Sequence, residues 1–518
     1  MRECLRPRGG SLVSESNSSA NCCDLAGNAQ KPEDAVIVIF GATGDLARRK
    51  IFPALYNLER MGVMPPNAAI VGFARRDLSG GAFSAMARES CELYSHIKPL
   101  DPSAWASFER RLSYVRGSFD EASAYESLAL RLSDPALPPN ALFYLATAPE
   151  EFSVVARRLA AAGLGSAGRG EAQLSPFRRL IVEKPYGSDL ASARALNSTL
   201  RGCFDEHDIF RIDHYLGKET VQNLLYFRFA NSIFEPLWNR GHIESVEIDV
   251  LESGGIGERG GYYDKAGAAR DMLQNHLVQL LCLVAMEAPA SLEPEAVRDE
   301  KVKVLKSIRD YSPEELLSRS IRGQYDEALT ADGKPVRGYA SEPRVSPGSR
   351  TETFVSLRLE VDNWRFAGVP FTLRTGKALD RQLSEIRVNF KRPPATLFAG
   401  YCGDSLAPNA LTLRIQPDEG LWLRFNAKEP GIARVAPKEL RFAYRESNDA
   451  YFPEAYERLI ADALSGDSTL FIRADEAEES WRIVDALEAA WKAEGPPLLY
   501  AAGSSGPVLR DRESGGPW

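Results

Sequence analysis

The sequence predicts two domains of different fold class: an α/β domain built on a parallel sheet, followed by an α+β domain with a large, mainly antiparallel sheet. Three observations indicate this. Residues 35–62 read as an apolar run, a glycine turn and a helix, which is how a doubly wound α/β fold begins. Continuous apolar runs recur up to about residue 212. Beyond it the runs alternate apolar and polar residues, as strands with one solvated face do.

The bulk composition is typical of a globular enzyme with more than one domain. The chain has 518 residues, of which 44% are hydrophobic and 26% charged, and its formal net charge is -8. That length corresponds to roughly two to four domains. A nucleic-acid partner would usually show as a basic face, and this charge balance gives no indication of one.

Residues 1–34 are interpreted as a disordered N-terminal extension. They are rich in Ser and Asn and lack the apolar middle of a secretory signal, although an organelle transit peptide is an alternative. Apolar runs elsewhere fall short of the ~18 residues that a membrane span needs, so no membrane-spanning segment is predicted. The seven cysteines are scattered, without the paired spacing of a zinc site. We therefore expect reduced thiols, a cytoplasmic protein and no bound metal.

The first strand, Val36–Phe40, leads through Gly41 and Gly44 into a helix. Glycines at such a turn let the backbone approach a pyrophosphate, and the helix N-terminus offers free N–H groups to it. The Gly-x-x-Gly pattern is less specific than Gly-x-Gly-x-x-Gly, so an ordinary structural turn is the alternative. The context predicts a Rossmann-like dinucleotide-binding domain over residues 35–212.

A second apolar strand, AAIVGFARR, ends at Arg75 and Arg76. In this kind of fold the end of the second strand contacts the adenosine ribose, where an acidic residue suits NAD and an arginine suits the extra phosphate of NADP. Arg75 therefore favours NADP. Because Asp77 follows directly, an exposed turn held by an ion pair is the alternative.

A helix-rich stretch to about residue 132, a strand over 141–147 and a helix from about Pro149 to Ala162 follow. The apolar run that starts at residue 178 then ends in Glu183-Lys184-Pro185. A lysine at the carboxyl end of a parallel strand lies in the crevice where such sheets bind ligands. Lys184 is therefore a candidate ligand-binding residue, with an ordinary loop lysine as the alternative.

The segment RIDHYLGKE places Asp213, His214, Tyr215 and Lys218 within six positions. If the segment becomes helical near its end, His214 and Lys218 lie four apart on one face and can bind one anion.

A second polar group, RDMLQNH, contains Asp271 and His276 and opens the apolar helix LVQLLCLVAM. A histidine that opens so apolar a helix lies at the edge of a core. Two buried structural histidines, His214 and His276, are the alternative.

The remaining chain, 213–518, contains the alternating strands of the α+β domain. They are VEIDVLE, TFVSLRLEVDNW, FTLRTGKAL, EIRVNFK, ALTLRIQP and LWLRFNA. A large sheet with helices on one face leaves the other face open for a subunit interface. We therefore expect at least a dimer.

Six segments in a fixed order resemble the glucose-6-phosphate dehydrogenase family: GATGDLARRK, EKPYG, RIDHYLGKE, RDMLQNH, VPFTLRTGK and AYERLI. The resemblance extends from about Ala35 to the C-terminus, and RIDHYLGKE is its most specific part. It implies oxidation of the C1 hydroxyl of glucose 6-phosphate to 6-phospho-D-glucono-1,5-lactone with hydride transfer to NADP, the first oxidative step of the pentose phosphate pathway. It also implies a homodimer or homotetramer.

The resemblance assigns roles to individual positions. His276 matches the general base, and Asp213 matches the carboxylate that orients it. The expected substrate-binding residues are Lys184, His214, Tyr215, Lys218, Glu252, Asp271 and Lys377. The expected cofactor-binding residues are Gly41, Thr43, Gly44, Asp45, Leu46, Arg75 and Lys184.

The chemistry of the residues agrees with these roles. Hydride leaves C1 readily only if the hydroxyl proton also leaves, which requires a base with a pKa near neutrality, such as histidine. On an α-helix, Asp271 and His276 lie about 140° apart, so Asp271 is badly placed to orient the ring. Asp213 is the candidate instead, and it would hold the imidazole tautomer and stabilise the imidazolium.

Two positions depart from the family pattern. Gln382 stands where a second basic residue near the substrate is usual, and Arg381 is one place early. Some members bind an additional, structural NADP. Arg387, Arg414 and Arg473 match part of that site, but Leu383 replaces a basic residue, so the second site is not predicted.

Two other functions are open at this point. One is an oxidoreductase of the wider dinucleotide-fold group that acts on an unphosphorylated sugar or uses NAD, and Lys218 and Arg75 argue against it. The other is a non-catalytic binding or regulatory subunit, which His276, Asp213 and Lys184 argue against.

Overall fold

The computed structural model describes residues 32–168, 176–329, 335–393, 406–432, 434–444 and 451–508. Residues 1–31, which carry nearly all of the predicted disordered extension, lie outside these ranges. Within the described ranges, no helix combines the length and the apolarity needed to cross a membrane.

A seven-stranded sheet organises the first half of the chain. Its strands are β1 (Ala35–Phe40), β2 (Ala69–Ala74), β3 (Leu112–Arg116), β4 (Asn140–Leu145), β5 (Arg178–Val182), β6 (Ile209–Ile212) and β17 (Phe471–Ile472), in the order β17-β6-β5-β4-β1-β2-β3. All neighbours pair in parallel except β17, which pairs antiparallel with β6. Because β1 pairs with both β2 and β4, the strand order reverses there. In open α/β sheets a ligand crevice forms at this switch point.

Helices accompany both faces of this sheet. A π-helical turn, Ala47–Ile51, leads into α1 (Phe52–Arg60). The others in the first half are α2 (Gly80–Tyr94), α3 (Pro102–Arg111), α4 (Ala122–Leu132), α5 (Phe152–Ala161) and α6 (Leu190–Arg201). Every residue of β1 and β4 is buried, which explains why both strands read as unbroken apolar runs.

A nine-stranded sheet organises the second half. Its strands are β7 (Ile243–Leu251), β8 (Ser320–Asp326), β11 (Phe354–Glu360), β12 (Pro370–Gly376), β13 (Leu383–Phe390), β14 (Ala410–Gln416), β15 (Gly420–Lys428), β16 (Val435–Ala443) and β18 (Leu498–Ala501). Their order is β16-β15-β14-β13-β7-β12-β11-β8-β18, and only β7–β12 and β8–β18 pair in parallel. A separate pair joins β9 (Ala328–Leu329) to β10 (Pro335–Val336).

The helices of this half are α7 (Glu219–Phe229), α8 (Gly260–Ala268), α9 (Val278–Ala285), α10 (Pro294–Ser307), α11 (Pro313–Arg319), α12 (Ala455–Ser465) and α13 (Ala474–Lys492). Between α8 and α9 the chain forms a π-helix, Ala269–Leu277, whose residues are buried almost throughout. The apolar residues of α7 and α9 and of the inner sheet face share one core.

The predicted α/β domain and the predicted large, mainly antiparallel sheet are confirmed. Several strands have no counterpart in the sequence prediction, among them β3, β8 and β16. No residue of β3 or β16 is buried, and three charged residues interrupt β16, so neither strand shows a clear apolar period. The helix predicted from Pro149 begins as a 3-10 turn and becomes α-helical at Phe152.

Candidate active site

A buried histidine–aspartate pair lies where the two halves meet. His276 Nδ1 is 2.5 Å from Asp213 Oδ1, and both side chains are essentially inaccessible to solvent. The backbone N–H of Tyr215 donates to the same carboxylate oxygen at 2.9 Å. With Nδ1–H donating to Asp213, the lone pair of His276 lies on Nε2.

Burial and charge set the protonation states of this pair. Burial alone would raise the pKa of Asp213, but the adjacent His276 lowers it to about 2. Burial lowers the pKa of His276 below its usual range, although Asp213 acts in the opposite direction. The aspartate is therefore ionised and the imidazole neutral at pH 7, which is the state that a general base needs.

Lys184 extends from the end of β5 to the Nε2 side of His276. Its Nζ lies 3.1 Å from His276 Nε2, 2.9 Å from the backbone oxygen of Asp271 and 3.2 Å from Asp271 Oδ1. Burial would raise the pKa of Asp271, but Lys184 and Lys377 lower it well below its usual range. Lys184 follows the carboxyl end of β5 by two residues, and its role in binding a ligand stays a prediction.

The α-helical geometry assumed for Asp271 and His276 is wrong. Residues 269–277 form a π-helix with i→i+5 hydrogen bonds, which brings residues five apart to nearly the same face. Lys184 therefore contacts both residues with one ammonium group. The Nδ1 partner of His276 is still Asp213 and not Asp271.

The helical end considered for RIDHYLGKE is limited to its last residue, because residues 214–217 form turns and α7 begins at Glu219, so His214 and Lys218 do not share a helix face. Leu216 N–H donates to the Asp213 carbonyl and Lys218 N–H to the Tyr215 carbonyl. The turns place Lys218 Nζ 4.1 Å from the centre of the Tyr215 ring, and Lys218 donates to Gln416 Oε1 at 2.6 Å.

The residues of this turn pack against one side of the His276–Asp213 pair, called the dyad below. The His214 ring centre is 4.7 Å from that of His276, and the Tyr215 ring stacks on His276 at 4.4 Å. Burial lowers the pKa of Lys218 to about 8, still above neutrality, so its ammonium group is largely charged at pH 7. His214, Tyr215 and Lys218 thus form a compact group that suits an anion.

Lys377 and Glu252 form a second ion pair near these residues. Lys377 Nζ lies 2.5 Å from Glu252 Oε1, at the ends of β12 and β7, which are paired in parallel. The charge of Lys377 lowers the pKa of Asp271, and the charge of Glu252 raises the pKa of Tyr215. All nine residues predicted for catalysis and substrate binding are therefore brought together.

The predicted cofactor residues lie at the same edge of the first sheet. Gly41 has φ +80°, and a Cβ there would lie 2.3 Å from the Ala146 carbonyl oxygen, so the turn requires glycine. The helix begins at Asp45, and its N-terminus opens beside this turn. Arg75 follows β2 and is exposed, whereas Asp77 pairs with Arg116 at 3.2 Å and not with Arg75. These features fit a dinucleotide with a phosphorylated ribose.

Sequence reasoning missed the residues that support this site. Gln416 binds Lys218, Ser384 lies 3.3 Å from the Tyr215 hydroxyl, and the Tyr262 hydroxyl donates to Asp271 at 3.2 Å. Tyr262 stands nine residues before its partner, but Gln416 and Ser384 lie more than 160 positions away from theirs, and no local pattern links such pairs.

The departures from the family pattern have structural counterparts. Arg381 and Gln382 are both exposed, and Arg381 pairs with Asp380 at 3.2 Å. Arg387 and Arg414 line a groove on the second sheet, where both bind Glu385. Arg473 instead pairs with the acidic residues Glu295, Asp299 and Asp475.

The cluster of Asp213, His214 and His276 also offers ligand atoms within 4.8 Å of one another. Asp213 Oδ1 and both ring nitrogens of His276 have hydrogen-bonding partners, as described above.

Two protein-family models match most of the chain. The glucose-6-phosphate dehydrogenase NAD binding domain matches residues 38–223, and the C-terminal domain of the same family matches residues 225–513. The two matched segments meet close to the predicted domain boundary at residues 212 and 213, which stays a prediction.

Curated proteins and solved structures show the same similarity. The chain is 44% identical over 476 residues to glucose-6-phosphate 1-dehydrogenase 2 of Mycobacterium tuberculosis, covering 91% of each chain. It is 42% identical over 485 residues to glucose-6-phosphate 1-dehydrogenase of Treponema pallidum, covering 92% of each. A structure of glucose-6-phosphate dehydrogenase in complex with glucose 6-phosphate matches with a TM-score of 0.83 and 37% identity, over 92% of this chain and 96% of the other. The Mycobacterium avium enzyme matches with a TM-score of 0.78, at the same identity and coverage.

Proposed function

This chain belongs to the glucose-6-phosphate dehydrogenase family, and we propose that the pocket around His276 is the place where it oxidises glucose 6-phosphate. The reaction converts the C1 hydroxyl of the sugar into the 1,5-lactone, with NADP as the cofactor. The observation that carries the assignment of the pocket is the buried dyad, in which a neutral imidazole is held by an ionised aspartate 2.5 Å away.

His276 is the general base of this proposal. Its Nε2 accepts the proton of the C1 hydroxyl, and Asp213 stabilises the imidazolium that forms. Lys184, which donates toward Nε2 in this structure, shifts to the substrate hydroxyl when the sugar enters. The pocket thus holds the proton acceptor ready before the substrate binds.

Three neighbouring side chains bind the phosphate of the substrate. His214, Tyr215 and Lys218 offer an imidazole, a phenol and an ammonium group around one space beside the dyad. Lys377, Glu252 and Asp271 bind sugar hydroxyls. A substrate held at both ends presents C1 to His276, which gives the effective-concentration gain of a positioned reaction.

The cofactor site is the crevice at the switch point of the first sheet. The residues that would hold NADP are Gly41, Thr43, Gly44, Asp45 and Leu46 at the pyrophosphate and Arg75 at the ribose phosphate, with Lys184 between cofactor and sugar. Bound NADP supplies the acceptor for the hydride that leaves C1.

We also propose that the protein is a homodimer or homotetramer. The nine-stranded sheet has its helices and core on one face, and polar residues line a groove on the other. Its edge strand β16 carries the exposed apolar side chains Leu440 and Phe442. An open sheet edge with exposed apolar groups favours pairing with a second chain.

The first experiment measures the absorbance of reduced nicotinamide after purified protein is mixed with glucose 6-phosphate and NADP. Parallel reactions replace NADP by NAD, or the sugar phosphate by free glucose. We expect fast reduction with glucose 6-phosphate and NADP. Activity with glucose, or only with NAD, would support the unphosphorylated-sugar alternative, and binding of NADP without turnover would support a non-catalytic protein.

Lys218→Ala tests the proposed phosphate-binding residues in the same assay. Loss of a charged hydrogen bond, worth about 1.5–3 kcal/mol, should raise KM for glucose 6-phosphate about tenfold or more while kcat changes little. Lys303→Ala, which removes an exposed lysine on α10, is the matched control. A Lys218→Ala protein with lower kcat and unchanged KM would contradict the role in phosphate binding.

A further inference from the structure

Glu183 is a buried carboxyl group that the proposed mechanism does not use. It follows β5 directly and precedes Lys184, and only 7% of its surface is exposed. The hydroxyl of Tyr144, on the neighbouring strand β4, donates to Glu183 Oε1 at 2.6 Å. Tyr456 interacts with the same carboxyl group and lowers its pKa. Two tyrosine side chains thus interact with Glu183, which links β5 to Lys184.

Tyr456 connects this carboxyl group to the turn at residues 214–217, which is called the phosphate turn below because it carries residues of the proposed phosphate site. It lies in the first turn of α12, within the AYERLI segment, and its ring is parallel to that of His214 with the centres 6.5 Å apart. The neighbouring Ala455 contacts the same turn so closely that a Cβ on Gly217 would lie 2.9 Å from its carbonyl oxygen. The start of α12 therefore lies beside both His214 and Glu183.

We propose that Glu183 is a positioning residue for the oxidation: its ionised carboxylate, held by Tyr144 and Tyr456, fixes the strand end from which Lys184 reaches Asp271 and His276. This inference rests on the proposed role of Lys184 in the active site. Through Tyr456 the same carboxylate fixes α12 against the phosphate turn. Binding of the phosphate and placement of Lys184 therefore depend on one buried charge.

The protonation of Glu183 links this arrangement to pH. Burial raises the pKa of Glu183 to about 7, against the hydrogen bonds from Tyr144 and Tyr456 and the charge of Lys184. Burial and, after it, the charge of Glu183 raise the pKa of Tyr186, in the loop after β5, well above its usual range. Below its pKa the carboxyl group is neutral and accepts phenol hydrogen bonds less strongly, so Lys184 is held less firmly. Activity should therefore decline with falling pH before His276 itself is protonated.

The test is the pH profile of kcat/KM for glucose 6-phosphate, with NADP saturating, for the wild type and Glu183→Gln. The acid side of the wild-type profile should record two protonations, those of Glu183 and His276. In Glu183→Gln it should record only that of His276, and kcat/KM at pH 8 should fall about tenfold to a hundredfold, as expected when a reacting group is displaced. An unchanged rate, or a uniform fall with both protonations retained, overturns the proposal.

Tyr456→Phe tests the proposal without removing the buried carboxyl group, in case Glu183→Gln does not fold. Loss of one donor to the carboxylate should raise the pKa of Glu183, so the acid side of the profile should move to higher pH. Tyr451→Phe removes an equivalent phenol that donates to the buried Glu457 of α12, at 2.8 Å, and should leave the profile in place. If the pH profile of Tyr456→Phe does not move, the role of Glu183 is refuted and the proposed function is not affected. If the wild type does not reduce NADP at all, the proposed function itself is refuted.

Discussion

Single residues of this site depend on their surroundings for their chemistry. An isolated histidine titrates near pH ~6.5, with either nitrogen able to carry the proton. Burial keeps His276 neutral to lower pH, and Asp213 fixes its proton on Nδ1. The result is an imidazole with one available lone pair, on the nitrogen that faces Lys184.

His276→Asn should bind both ligands but lose most turnover. Removing a general base typically lowers kcat about 10²–10⁴-fold, while asparagine keeps a polar side chain of similar size. Steady-state kinetics and equilibrium binding of NADP measure the two effects. His242→Asn, the same substitution at an exposed histidine next to β7, is the control. Turnover close to that of the wild type would show that another group is the base.

Arg75→Ala should raise KM for NADP about tenfold or more and leave KM for NAD nearly unchanged, because arginine binds the extra phosphate by charged hydrogen bonds. The ratio of kcat/KM values for the two cofactors is the measurement. Arg76→Ala removes the adjacent exposed arginine and should change that ratio less. If Arg75→Ala keeps the wild-type preference, the assignment of Arg75 is wrong.

At the scale of elements, a π-helix and a turn decide which side chains meet. The i→i+5 geometry of residues 269–277 brings Asp271 and His276 to one ammonium group. The turns at 214–217 bring His214 and Lys218 around the Tyr215 ring without a helix. π-Helical turns occur frequently at functional sites, and this one carries two residues of the proposed active site.

Gly41→Ala should destabilise the protein and weaken NADP binding. A positive φ costs an alanine about 1–2 kcal/mol, and at Gly41 the new Cβ also meets the Ala146 carbonyl oxygen at 2.3 Å. Gly62→Ala is the control, because Gly62 also has positive φ but nothing lies within 4 Å of its Cβ position. Denaturant unfolding and NADP titration should show a larger loss for Gly41→Ala. Equal losses for both variants would mean that the close approach at Gly41 relaxes without cost.

At the scale of the whole molecule, segments distant in sequence complete the first half of the fold. β17 adds an antiparallel edge to the first sheet beside β6. In α12, Glu457 accepts a hydrogen bond from Asn57 of α1 at 2.7 Å and is fully buried. The first sheet therefore depends on residues beyond 450 for one edge and for part of its packing.

The oligomer proposed above predicts a native mass of two or four chains. Light scattering on the eluted protein measures it directly. Leu440→Glu combined with Phe442→Glu should lower the mass, because the two exposed side chains lie on the edge strand β16. Trp364→Glu changes another exposed apolar residue, away from β16, and should leave the mass unchanged. A monomeric wild type would refute the oligomer, and an unchanged double variant would place its interface elsewhere.

The fold class, the family and the candidate residues of the site follow from the sequence alone. Strands such as β1 and β4 are buried on both faces, so their apolar runs are visible locally. RIDHYLGKE and RDMLQNH are short segments whose residue types alone indicate proton transfer and anion binding. Strand β16 has no such signature, since its side chains are mostly exposed and three charged residues interrupt its apolar ones.

How these residues meet depends on tertiary packing. The partner of His276 Nδ1 stands 63 positions earlier in the chain, and that of Lys218 stands 198 positions later. The π-helix at 269–277 and the two phenols on Glu183 were not visible in any local pattern. The spacing of apolar residues in a segment shows which of its faces is buried. It does not show which distant segment packs against that face, because such contacts depend on how whole elements pack. The sequence therefore identified the chemical groups, and packing determined their geometry and protonation.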